Sequence, residues 1–125
     1  MPLYDCQYSE VIECNEQRID DEMAQLAQWQ KDHAVKLFIG EFGICRETGG
    51  AADYLRAVAA ASLERGMSCL VYSYRETTWD AMNYELGPRL SAAVLNTRLP
   101  WNDNPLVGAL LDISRMNTAS QTREQ

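Results

Sequence analysis

Apolar positions along this chain repeat in two ways, and each predicts an element. From about Arg18 to His33, the positions Ile19, Met23, Leu26 and Ala27 recur at helical spacing and form one apolar face. Asn15 stands where a helix N-cap belongs. Asp20, Asp21 and Glu22 fill the first turns, which suits the positive end of the helix dipole, and Trp29 falls at the margin of the apolar face. The run Leu37–Ile39 is short and apolar throughout, the pattern of a strand buried on both faces. Helical spacing returns from about Ala51 to Arg65, with Tyr54, Leu55, Val58, Ala59 and Leu63 as the buried stripe and Gly66 as the stop. A second strand is predicted over Ser68–Tyr74. Strand, helix, strand in this length predicts a βαβ unit with parallel strands and a right-handed crossover.

The remaining segments carry weaker patterns. In residues 1–14, Leu3, Tyr4, Tyr8, Val11 and Ile12 fit one or two short strands or an ordered loop. Arg46–Gly50 reads as a polar loop ending in glycine. The loop Thr77–Gly87 carries Trp79 and Tyr84 and leaves the same sheet edge as Glu41. Pro88 suits a helix start, and Arg89–Leu95 reads as a short helix. Asn104 is placed to cap a last helix from Pro105 to about Met116, and the polar tail 117–125 is expected to be frayed and disordered. No internal repeat or low-complexity segment is present.

At 125 residues the chain is one domain, and 46% hydrophobic with 23% charged residues is an ordinary globular composition. A net charge of −7 with scattered Lys and Arg argues against nucleic acid as a partner. No apolar run is long enough to cross a bilayer. The first residues lack the basic-then-apolar order of a signal peptide, and the compartment stays open. Cys6, Cys14, Cys45 and Cys69 match no metal motif and are expected to be free thiols. The single histidine, His33, sits at a predicted helix end, where it favours the dipole rather than ligating a metal. Neither a metal nor a cofactor is implied.

Candidate chemistry concentrates in Ile39-Gly40-Glu41-Phe42-Gly43, a carboxylate flanked by glycines at the end of a predicted parallel strand. Glycine lets the chain turn there. The C-terminal end of a parallel strand is where α/β folds place their chemistry. The plainer alternative is a solvated surface turn.

Four stretches taken together, Ile39–Gly43, Gly49–Leu55, Tyr72–Glu76 and Trp79–Leu86, resemble the C-terminal part of a cellulase-like glycoside hydrolase of family five. The resemblance covers roughly Asp20 to Gly87. It implies an α/β chain forming part of a (β/α)8 barrel, with Leu37–Ile39 as strand seven, Cys69–Tyr74 as strand eight and helices flanking them. It implies a retaining β-glycoside hydrolase acting on a polysaccharide or oligosaccharide, with Glu41 at the nucleophile position. Tyr72 stands where the family often has a sugar-stacking tryptophan. Trp79 is a further sugar platform, and Arg75 is placed to favour the charged carboxylate if it turns inward. Tyr4 is the match for a family tyrosine at the end of strand six that hydrogen-bonds the nucleophile. Members acting on polysaccharides are commonly secreted.

A retaining glycosidase needs two carboxyl groups about 5–5.5 Å apart. The family's acid/base lies on strand four in an Asn-Glu-Pro motif. Asn15-Glu16-Gln17 mimics that motif, but only 24 residues separate Glu16 from Glu41. Three βα repeats of about 30 residues each are needed in between. Asn15 is therefore read as a helix cap and Glu16 as a first-turn acid. The chain is expected to be the C-terminal third of a catalytic domain, inactive alone and open to association with the missing N-terminal part or with itself. Two other readings remain. One is a carbohydrate-binding remnant in which Tyr72, Trp79 and Tyr84 stack on sugars. The other is a small α/β interaction protein whose aromatics are core.

Overall fold

Asn15 starts the first helix by accepting the Arg18 backbone N–H on Oδ1 at 2.9 Å, which satisfies one of the donors a helix start leaves open. In this computed structural model, which describes residues 15–88 and 100–123, helix α1 spans Glu16–His33. Strand β1 is Phe38–Phe42, helix α2 Ala51–Glu64, strand β2 Ser68–Val71 and helix α3 Pro105–Arg123. Short 3₁₀ turns lie at Asp80–Met82, Tyr84–Leu86 and Trp101–Asp103. The fold is mixed α/β, and among the described residues its sheet is the parallel pair β1–β2 with α2 as the crossover. The segment 1–14, with Tyr4, Cys6 and Cys14, and the expected helix Arg89–Leu95 lie outside the described residues.

The core forms between one face of the sheet and the helices α2 and α3. Leu55 and Ala59 of α2, Cys69 of β2, and Leu106, Ala109 and Ile113 of α3 are buried together, with Ile39, Phe42 and Val71 packed against them. Asn104 caps α3 as expected: Oδ1 accepts the N–H groups of Leu106 and Val107 at 3.0 and 3.3 Å. Its buried Nδ2 also donates to the carbonyls of Tyr84 and Glu85, which ties the helix start to the loop after β2. Burial raises the Cys69 thiol pKa, partly offset by a hydrogen bond from Asn117. Neither Cys45 nor Cys69 is in a disulfide.

Helix α1 covers less than its apolar pattern promises. Ile19 is buried with Val58 and Ala61, and Met23 packs beside them. Leu26 and Trp29 stay 37% and 46% exposed. Trp29 instead stacks on His33 at 4.0 Å between ring centroids, and the His33 ring Nδ1 lies 2.9 Å from the Trp29 carbonyl. The helix ends on Ala34 in the left-handed region, φ 52° and ψ 42°. That conformation is costly for any residue with a Cβ and routine for glycine. Ala34→Gly is therefore expected to stabilise the protein by about 0.5–1 kcal/mol, measurable as a raised thermal midpoint.

Three boundaries differ from the sequence reading, each for a local reason. Strand β1 runs on through Glu41 to Phe42, so the carboxylate lies within the strand and not in a turn beyond it. Strand β2 stops at Val71 rather than Tyr74. There the returning loop takes over the backbone, as Ser73 and Tyr74 carbonyls accept the N–H groups of Tyr84 and Glu85 at 3.2 and 2.9 Å. Helix α3 continues past Met116 to Arg123, so the segment expected to fray is helical over residues 117–123. No Gly or Pro interrupts it there, and Asn117 and Thr118 bond back to the carbonyls of Ile113 and Ser114.

Candidate functional site

The register of the two strands decides where Glu41 points. Phe38 pairs with Ser68 and Ile39 with Cys69, but the next pair is Phe42 with Val71. One extra residue has entered β1, so Gly40 and Glu41 together oppose Leu70. This is a β-bulge, a device that re-aims a side chain. Without it, alternation would set Glu41 on the same face as Ile39, against the helices. With it, Gly40 and Glu41 both lie on the far face, and both are exposed. A Cβ built on Gly40 would meet the Phe38 ring at 3.3 Å, which sets Phe38 on that face too. Phe38 and Leu70 are 65% and 59% exposed. The carboxylate thus rises from an apolar sheet face that the described helices leave uncovered. Among the described residues, no hydrogen bond or ion pair holds it.

Beyond the bulge the chain is tightly fixed. Tyr72 donates its backbone N–H to the Phe42 carbonyl at 2.9 Å, continuing the pairing one step past β2. Gly43 then passes so close to this strand end that an added Cβ would lie 2.3 Å from the Tyr72 carbonyl oxygen and 2.6 Å from Met82 Cε. The Tyr84 hydroxyl clamps the next residue, accepting the Ile44 N–H at 2.8 Å and donating to the Ile44 carbonyl at 2.6 Å. Burial pushes the Tyr84 phenol pKa up, and its bond to Ile44 pulls the other way. Tyr84 is fully buried, which corrects its reading as a sugar platform: it is core.

Arg46 holds the facing loop. Its side chain is buried and donates to the Asp80 carbonyl, the Gly87 carbonyl and the Asp80 carboxylate at 2.9, 2.8 and 2.8 Å. Both ends of the segment 80–87 are thereby fastened to the turn after β1. Sequence reasoning missed this, placing Arg46 in a polar loop. An arginine followed by Glu, Thr and two glycines gives no local sign that it is buried.

Trp79 enters this fixed loop half exposed, at 51%. Its ring lies 6.4 Å from that of Tyr72, tilted by 43°. The structure therefore brings Tyr72 and Trp79 together at the strand end that carries Glu41. It places Arg75 elsewhere: its guanidinium forms a bidentate pair with Glu85 at 2.6 and 2.9 Å. The expectation that Arg75 turns toward Glu41 is replaced by this pairing. Tyr4 lies outside the described residues.

A mostly apolar groove of about 520 Å³ runs beside the site, lined by Ile19, Gly43, Ile44, Tyr54, Trp79 and Met82 among others. Glu41 does not line it. Trp79 joins the two, since one ring belongs both to the groove wall and to the pair with Tyr72. Glu16 occupies the first turn of α1, as its reading as a helix-start acid requires. Among the described residues no cluster of three or more His, Cys, Asp or Glu could hold a metal ion, and no helix is long and apolar enough to cross a membrane. No protein-family model, curated protein or solved structure matches the chain at a significant level.

Proposed function

We propose that this chain is the C-terminal part of a (β/α)8-barrel glycoside hydrolase of the cellulase type, with Glu41 as the nucleophile of a retaining reaction on a β-linked polysaccharide. The observation that carries the reading is the bulge at Gly40–Glu41, which sets a carboxylate of a parallel strand on a sheet face that the described helices leave uncovered, at the strand end where Tyr72 and Trp79 pair. Parallel sheets are normally covered on both faces. Here one face has helices and the other presents Phe38 and Leu70 to solvent, as expected of strands whose inner face belongs to a barrel interior.

In the proposed reaction, a Glu41 carboxylate oxygen attacks the anomeric carbon and forms a glycosyl ester while the glycosidic oxygen departs. A second carboxyl group protonates that oxygen and then takes a proton from the water that cleaves the ester. Tyr72 and Trp79 present ring faces on which the sugar's C–H surface stacks. The second carboxyl belongs to the missing strands. The chain alone is accordingly expected to release no reducing sugar from a soluble β-glucan, while still binding glucan oligosaccharides. Hydrolysis by the purified chain that disappears in Glu41→Gln would overturn the claim that the site is incomplete. Absence of any glucan binding by the wild type would remove the carbohydrate reading itself, and binding that E41Q keeps, with no turnover by either the wild type or E41Q when the missing strands are supplied, would make the chain a non-catalytic sugar-binding remnant.

A further inference from the structure

A second aromatic pair lies away from Glu41. Tyr74 and Trp101 meet edge to face, with ring centroids 6.0 Å apart and planes at 80°. They remain 37% and 56% exposed. Two rings at right angles form a corner with one face on each wall. The corner is built on fixed supports. The Tyr74 carbonyl accepts the Glu85 N–H. Trp101 opens a 3₁₀ turn closed by Asn104, the residue that also bonds the carbonyls of Tyr84 and Glu85.

Arg75 supplies a polar edge. Its guanidinium carbon sits 5.7 Å from the Tyr74 ring centroid. Glu85, whose side chain is only 7% exposed, holds that guanidinium in a bidentate grip and leaves the Arg75 side chain 53% exposed. A planar group gripped this way has a fixed direction for its outward N–H donors. Aromatic faces set at an angle, beside fixed N–H donors, suit a pyranose ring, which has apolar C–H faces and a rim of hydroxyls. The overall charge of −7 selects against anionic polymers. Tyr74 follows Tyr72 by two residues, so the backbones of the two tyrosines lie at most about 7 Å apart.

We propose that the Tyr74–Trp101 corner, edged by Arg75, is a second sugar-binding subsite that takes a neutral β-linked glucan chain extending away from Glu41. The proposal rests on the carbohydrate reading above. It predicts that affinity depends on chain length, because only a long oligosaccharide reaches both aromatic pairs.

The test is calorimetric titration of the full chain with a neutral β-glucan hexasaccharide and with the corresponding disaccharide. Trp101→Ala is expected to weaken hexasaccharide binding about tenfold and to leave disaccharide binding unchanged, while Trp101→Phe keeps most of the hexasaccharide affinity. Trp101→Gln, which retains bulk without the aromatic face, carries the same expectation as the alanine variant if circular dichroism shows the latter unfolded. Hexasaccharide binding that is unchanged in Trp101→Ala or Trp101→Gln but weakened in Tyr72→Ala would overturn the second subsite and leave the proposed function standing. A wild-type chain that binds neither oligosaccharide would overturn both.

Discussion

Gly43→Ala is expected to destabilise the protein by about 3 kcal/mol, a large share of the stability of a small domain. The cause is space rather than backbone angle. A Cβ at this position would sit 2.3 Å from the Tyr72 carbonyl oxygen, 2.6 Å from Met82 Cε and 3.1 Å from the Tyr84 hydroxyl. The methionine can swing away, but the Tyr72 carbonyl belongs to backbone that the Tyr72–Phe42 hydrogen bond holds in place. Relief would have to come from parting the strand ends, which also loosens the Tyr84 clamp on Ile44. Gly49→Ala is the matched control, since a Cβ there meets nothing within 4 Å, and it is expected to change stability little or to raise it slightly. Denaturant midpoints of the two variants check the claim. Equal midpoints would mean that the junction behind Glu41 is not tightly packed. The same junction positions Tyr72 and the Trp79 loop, so Gly43→Ala is also expected to weaken oligosaccharide binding in whatever fraction remains folded.

The larger expected effect is chemical. In a barrel completed as proposed, Glu41→Gln is expected to lower turnover by a factor on the order of 10⁴ or more. The amide keeps the shape of the carboxylate, so sugar binding is retained, but it cannot form the glycosyl ester. An assay pairing the chain with a polypeptide that carries strands one to five and an Asn-Glu-Pro acid/base measures this directly. On the proposed mechanism neither half suffices: one carboxylate cannot serve as nucleophile and as proton donor to the leaving oxygen in the same step.

The helices and the parallel pairing were legible because their signals are local and periodic. Asn15, Gly66 and Asn104 mark boundaries through capping and turn chemistry, and all three act where they were read. The placement of Leu55, Val58 and Ala59 followed from helical spacing alone. The candidate site was legible only in part. Glu41 was singled out, but its direction depends on one extra residue in the pairing with β2, and a bulge has no reliable signature in a single strand's sequence. Trp79 and Tyr84 look alike in the sequence, as aromatics in one loop. The structure separates them by what each finds within reach: Tyr84 reaches both backbone groups of Ile44, while Trp79 stands half in solvent. Arg75 follows the strand end in the sequence and is expected to favour the Glu41 carboxylate if it turns inward, whereas its partner Glu85 comes from the far side of the loop. Long-range pairings such as Arg46 with Asp80 and Gly87 depend on tertiary closure, which no local window contains.

On the proposed function, Glu41 is the nucleophile of a barrel that this chain completes. The most direct measurement is covalent trapping in the completed enzyme with a fluorinated β-glycoside inactivator. Such a compound forms the glycosyl ester with departure of its leaving group and hydrolyses only slowly. Peptide mass analysis then locates the label. The label is expected on the peptide containing Glu41, with none in Glu41→Gln. A label on another carboxylate, or a completed enzyme that turns over equally well with Glu41→Gln, would contradict it.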